Sequence, residues 1–174
     1  MTVTANGDTV NYDKAGSQRT ADMVKIAPCG LVASATFTPA ATSHTALDSV
    51  GGAKAIDFSA ITGSTIRIVS ATLQINGATI ETTAWRLHLY SVTPPSATAD
   101  DGAWDIPSGD RASYLGYVDF VQIVDMGSTL YIETTNIQKQ LKLTGSGVFG
   151  YLVNGTTLTT QAVAHIVTLQ AVYV

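Results

Sequence analysis

The chain has 174 residues, 45% of them apolar, with a net charge of −4 and a pI near 5.1. That is enough for one domain burying roughly 70% of its unfolded surface without a metal or disulfide. The nine Lys and Arg residues are scattered singly, which argues against the basic patch of a nucleic-acid binder. Charged residues make up only 13%, about half the ordinary share, and Thr, Ala, Ser and Gly fill the gap. Small hydroxyl surface costs less to desolvate than charged surface, which suits a chain that works against other proteins and equally a monomer with a bland polar surface. Cys29 stands alone, so no intrachain disulfide forms. Met1 is not followed by a basic stretch and an apolar run, so no secretory signal is expected. No apolar run reaches 18 residues, so no membrane span is expected either.

Residues 1–28 are polar and rich in turn formers, among them Asn6-Gly7-Asp8 and Gly16-Ser17. They read as an extended N-terminal arm, or equally as a disordered segment, ahead of a single domain over 29–174, with Pro28-Cys29-Gly30 as punctuation. From Leu31 the period is two. Leu31, Ala33, Ala35 and Phe37 share one face, and Ile56 and Phe58 mark a short strand after Gly51-Gly52. Val69, Ala71, Leu73 and Ile75 share a face, while Ile66 and Ile68 have the opposite parity. A bulge, or burial of both faces, is expected there. Asn76-Gly77 predicts a two-residue hairpin leading into Ala78 and Ile80.

Trp85, Leu87 and Leu89 alternate with Arg86, His88 and Tyr90, giving a strand with two unlike faces. Residues 93–113 form a long loop, a feature that is usually functional or mobile. Further strands are predicted over 115–121, 129–135, 138–143, 148–153 and 163–174. No helical periodicity appears. The pattern is all-β: an antiparallel β-sandwich, jelly-roll-like, carrying an extended N-terminal arm.

Chemistry-bearing motifs are sparse. Gly145-Ser146-Gly147-Val148-Phe149-Gly150 has the spacing of a dinucleotide loop but precedes no helix, so it reads as a turn. His44, His88 and His165 lack metal-ligand spacing, and His165 fits a buried or edge strand position. The two glutamates, Glu81 and Glu133, form no acid–base couple, so no catalytic residue, metal or cofactor is expected. Asp100, Asp101, Asp105 and Asp110 cluster in the long loop. Oxygen-rich loops can hold Ca²⁺, but this spacing is not an EF-hand's, and Asx-turns that satisfy loop backbone are the plainer reading. Trp104 and Tyr114 are candidates for an interface or sugar-stacking platform, or for pinning the loop to the sheet. Asn154-Gly155-Thr156 fits the glycosylation acceptor pattern, which carries little weight without a secretory signal.

Two stretches carry a resemblance. The first is Thr45 to Gly52 followed by Ile56-Asp57-Phe58, similar to a D-x-V-G-G segment of phage virion proteins. The second joins Arg86-Leu87-His88-Leu89-Tyr90, Pro94-Pro95-Ser96-Ala97, Ala103 to Arg111, and Tyr114-Leu115-Gly116-Tyr117-Val118, with Gly127 to Tyr131 beyond. It resembles a family of tailed-bacteriophage structural proteins, of the capsid decoration (cement) type, over roughly residues 30–174. The resemblance implies a non-enzymatic virion protein on the capsid surface. It would bind the major capsid protein and act as an oligomer, a homotrimer by the same likeness. Neither nucleic acid nor membrane is an expected partner. Interface candidates are Val10, Tyr12, Arg19 and Met23 in the arm, and Trp104, Asp105, Arg111 and Tyr114 around the loop. The alternative is a carbohydrate- or receptor-binding module of a phage head or tail fibre, built on Trp104, Tyr114 and the aspartates. A polysaccharide-degrading enzyme is a third reading, and no carboxylate pair can be nominated for it.

Overall fold

A computed structural model describes residues 30–77, 84–96 and 98–174, with the backbone of two short strands further upstream. Those two, β1 (Thr2–Ala5) and β2 (Asp8–Asn11), pair antiparallel with each other, and Val10 stands opposite Val3. Tyr12, Arg19, Met23, Glu81 and Cys29 lie outside the described residues, as does most of the segment read as an arm.

The strands that follow are β3 (Leu31–Phe37), β4 (Ser43–His44), β5 (Ser49–Asp57), β6 (Thr65–Ile75) and β7 (Trp85–Tyr90). After the long loop come β8 (Tyr114–Phe120), β9 (Val124–Asp125), β10 (Leu130–Lys142), β11 (Gly147–Asn154), β12 (Leu158–Thr159) and β13 (His165–Tyr173). One sheet runs β3-β13-β6-β10-β9 and a second β5-β11-β7-β8, with every pairing antiparallel. The pairs nest: β7 with β8, β6 with β10, β5 with β11, β3 with β13. A long hairpin rolled into two facing sheets gives this order, which is the jelly roll. No helix occurs among the described residues.

Alternation of side chains drives the packing. In β3, Leu31, Ala33, Ala35 and Phe37 are buried while Val32, Ser34 and Thr36 are exposed. Their inward face meets Ile56, Leu73, Leu87, Phe120, Leu152 and Leu169 from both sheets in one core. Fully burying side chains of this size stabilises the fold by about 1.5–3 kcal/mol each relative to exposure.

The parity switch in β6 is a bulge. Ser70 stands opposite Gln170 and Ile68 opposite Ala171, leaving Val69 unmatched. Ile66 and Ile68 therefore reach the same core as Ala71, Leu73 and Ile75, whereas Val69, expected on that face, is only half-buried.

Three expectations need correction. Asn76-Gly77 makes no type I′ hairpin: neither residue has positive φ, and Ile75 is already flanked by Leu130 and His165. With both edges of β6 occupied, the chain crosses to the other sheet; Ala78 and Ile80 lie outside the described residues. The strands expected at 129–135 and 138–143 are one strand, β10. It stays on β6 across an irregularity where Asn136 and Gln138 take φ of 56° and 53°. Gly51-Gly52 does not precede a strand but lies inside β5, at φ of 72° and 67°. There a side chain on Gly51 would collide with the Phe37–Thr38 backbone, so glycine lets the two sheets close up.

Candidate functional site

The feature most unlike a plain sandwich lies on the outer face of the β5-β11-β7-β8 sheet, under the loop joining β7 to β8. In β7, Trp85, Leu87 and Leu89 point into the core, so Arg86, His88 and Tyr90 must point outward. The strand is nonetheless buried on both sides except at Arg86. Register builds rows across the sheet: Phe149–Tyr90–Tyr114, Tyr151–His88–Tyr117 and Val153–Arg86–Asp119. Cross-strand rows of aromatic and charged side chains are the local unit of sheet stabilisation.

The loop is fastened over these rows by backbone and carboxylates. Ser49 N–H donates to Gly102 O at 2.8 Å, Asp101 N–H to Ser49 O at 2.9 Å, and Trp104 N–H to Leu47 O at 2.8 Å. The Asp100 carboxylate accepts from Gly51 N–H at 2.6 Å and Ala40 N–H at 2.7 Å, and sits 3.3 Å from His44 Nε2. Burial pushes Asp100 up, but those donors outweigh it and hold the group below the ordinary carboxylate range. Asp110 is buried and accepts from Ser96 N–H at 3.4 Å, while Tyr151 Oη receives Thr98 N–H at 2.8 Å. Asp105 accepts from the adjacent Ile106 N–H at 2.7 Å. Asp100 and Asp110 thus accept from backbone far along the chain and Asp105 from its neighbour, so these carboxylates serve backbone donors but close none of the local Asx-turns expected. No group of three or more His, Cys, Asp or Glu gathers for a metal among the described residues.

At the centre, Trp104 stacks on His88 with centroids 3.5 Å apart and planes 23° from parallel. His88 Nδ1 lies 2.9 Å from the Tyr114 hydroxyl. Burial, helped by the Arg86 charge, lowers His88 to about 4, so the ring is neutral at physiological pH. Burial also pushes Tyr90 up to about 12 and raises Tyr114 and Tyr151. Beside them the Arg86 guanidinium lies 3.9 Å above the Tyr117 ring and grips Asp119 through two bonds of 2.6 and 3.2 Å. Such a fork is geometrically specific.

Of the eight interface candidates, the fold brings Trp104 and Tyr114 together through His88 and leaves Asp105 and Arg111 exposed on the loop. Val10 is placed by backbone alone. Arg86, His88, Tyr90, Tyr117, Asp119 and Tyr151 belong to the cluster and were not nominated. The two unlike faces of β7 were the signal that could have found them. His88 covers one face of Trp104 and Arg86 one face of Tyr117, which is otherwise exposed, and the Trp104 and Tyr114 planes diverge by 46°, so those two rings form no flat platform.

Elsewhere, a cleft of about 490 Å³ runs between Ala55–Asp57, Ser91–Thr93 and the Thr144–Gly147 turn. Its one lining carboxylate, Asp57, is held below the ordinary range by hydrogen bonds from Ser59 N–H and Ser146. It has no second carboxylate for glycoside chemistry. His165 is buried edge-on to Trp85, with Nδ1 3.0 Å from Val163 O. Asn154 is fully buried and donates to Thr45 O and Thr156 O, so no glycan can be attached there in the folded chain.

No protein-family model matches this chain, and neither does any curated protein sequence. Among solved structures the chain is similar to one from the semi-empty VLP of the giant freshwater prawn Macrobrachium rosenbergii nodavirus. The identity is 14%, with 83% of this chain and 93% of that one covered, at a TM-score of 0.27. A chain of the native Kashmir bee virus virion at acidic pH shows 11% identity over 99% of this chain and 88% of its own, at 0.26. One from Broad Bean Stain Virus shows 9% identity over 84% of each, at 0.28. Overlaps this low add nothing to the fold already given by strand order.

Proposed function

We propose that the chain is a non-enzymatic structural protein of a virion, a decoration (cement) protein on the capsid of a tailed bacteriophage. In this reading it binds the lattice of the major capsid protein, caps local three-fold positions as a homotrimer, and stabilises the head. The observation that carries it is where the polar groups are committed. In a jelly roll otherwise held by apolar burial, Asp100, Asp110, Asn154, His44 and His88 all bond to the chain's own loops and rings. What remains outward among the described residues is rich in Thr and Ser, with apolar side chains such as Ile61, Val121 and Met126 and few charges, a surface suited to contact rather than bond making. The fold also serves lectins, but the 46° between the Trp104 and Tyr114 planes gives a sugar no flat pair of rings to lie on.

Contact would come from residues 1–28 and from the loop carrying Asp105 and Arg111. Many copies on one lattice multiply a modest interface through avidity. Co-sedimentation of the full chain and of a chain lacking residues 1–28 with expanded shells tests this. The full chain should pellet with shells, and the truncated one should stay folded in the supernatant. Equal binding by both removes the arm from the account. Particles showing the protein at the tail tip and nowhere on the head lattice overturn the decoration role.

A further inference from the structure

The two main sheets expose four edges, and three carry the usual guards against strand addition. On β8, Gly116 sits at φ 93° in a register shift, and Asp119 is tied to Arg86. The edge strand β5 has the Gly51-Gly52 kink and two charges, Lys54 and Asp57. At the far edge, β9 is two residues long and contains Asp125, while β10 behind it carries Glu133, Lys139 and Lys142. By contrast β3 is seven residues with no charge, no proline and unbroken register from Leu31–Ala171 to Phe37–His165. Among the described residues no strand pairs with its other side. Alternate N–H and C=O groups along it therefore point outward.

The order of side chains says what fits there. Leu31-Val32-Ala33-Ser34-Ala35-Thr36-Phe37 reads nearly the same in both directions by size and shape. Large apolar residues stand at the ends, then two β-branched residues of like shape, then two alanines, with Ser34 in the middle. An antiparallel copy centred on Ser34 sets Val32 opposite Thr36 and Ala33 opposite Ala35, with no like charges facing. Gly51 leans on the Phe37–Thr38 backbone, where β5 comes close to β3, so the pairing is carried by the central five pairs from Val32 to Thr36. On the outer face Val32 is 62% exposed, an apolar side chain that such pairing would cover.

We propose that β3 pairs antiparallel with β3 of a second copy across a two-fold axis at Ser34, joining two five-stranded sheets into one. An isologous contact of this kind needs a self-complementary patch, and β3 is one. It needs only two copies of the chain and does not depend on the virion reading. On a lattice it would connect one trimer to the next.

The test uses the full chain with Cys29→Ser as background. Two Ser34 side chains facing each other at the axis lie within reach of a disulfide. Ser34→Cys should give a disulfide-linked dimer under mild oxidation, far faster than Thr62→Cys on an exposed loop. Ser34→Lys sets like charges opposite each other and should halve the mass of the associating unit in sedimentation, with an unchanged circular dichroism spectrum. Cross-linking no faster than the Thr62→Cys control, or a mass unaffected by Ser34→Lys, overturns the pairing.

Discussion

Trp104 lies flat on His88, their centroids 3.5 Å apart, although 16 positions separate them in the chain and no regular element contains Trp104. The stack adds a ring contact to the backbone and carboxylate bonds that tie the loop between β7 and β8 to the sheet beneath it. Trp104→Ala should therefore cost about 2–3 kcal/mol, below the range for a fully buried Trp because the ring is only half-buried. Chemical denaturation measures this. Limited proteolysis should show the loop cut first, and glycan binding should be as negligible in the variant as in the parent.

His88 makes stability depend on pH. The folded chain holds its imidazole neutral down to about 4, against 6.5 for a free histidine side chain, so protonation favours the unfolded chain. Stability is full above 6.5, falls as pH drops through that window, and levels off below about 4. At about 1.4 kcal/mol per pH unit the His88 contribution to the loss approaches about 3 kcal/mol. Denaturation midpoints between pH 7 and 4 should fall more shallowly in His88→Asn, which cannot be protonated. An equal slope in both proteins would remove His88 as the cause.

The strands were legible because burial follows period two. Leu31 to Phe37 alternates as read, and the parity break at Ile66–Ala71 is a real bulge. The Asn76-Gly77 error has a tertiary origin: local turn chemistry favours a hairpin, but both edges of β6 are claimed by β10 and β13. Likewise Thr135 and Lys139 lie on one strand because each finds a partner on β6, which outweighs the irregularity between them. The aromatic cluster was half legible. Trp104 and Tyr114 stood out by type, whereas Arg86–Asp119 and His44–Asp100 are 33 and 56 positions apart. No local pattern announces such pairs.

Gly147, the middle glycine of the G-x-G-x-x-G spacing, is required by close approach to a neighbouring strand and not by a nucleotide. A side chain there would run into the Ile56 carbonyl oxygen and the Asp57 Cα, both backbone and unable to give way without shifting β5. Gly147→Ala should destabilise the fold by about 2–3 kcal/mol. Gly145→Ala, with open space around it, should be nearly silent. Thermal melts of the two variants side by side decide the matter. Equal effects would mean that the spacing has some other cause.

Asp100 holds three separate pieces of chain together: Ala40 after β3, His44 in β4 and Gly51 in β5. Replacing it by Ala leaves two backbone N–H donors and a buried imidazole without their acceptor. Hydrogen bonds to a charged group are worth about 1.5–3 kcal/mol each, and the freed N–H groups can in part turn to water. Asp100→Ala should therefore cost about 2–4 kcal/mol. Because the folded carboxylate sits below its ordinary value of 3.8, its contribution is present above that pH and disappears as pH falls through the lowered value. Asp100→Asn keeps the shape without the charge and should lose part of the stability at pH 7. Its difference from the parent should shrink in strong acid, where the parent carboxylate is neutral as well. Hydrogen exchange at the amides of Ala40 and Gly51 gives the local readout. Both should exchange faster in the Ala variant, and protection left intact at either would show that Asp100 is not what holds that strand connection in place.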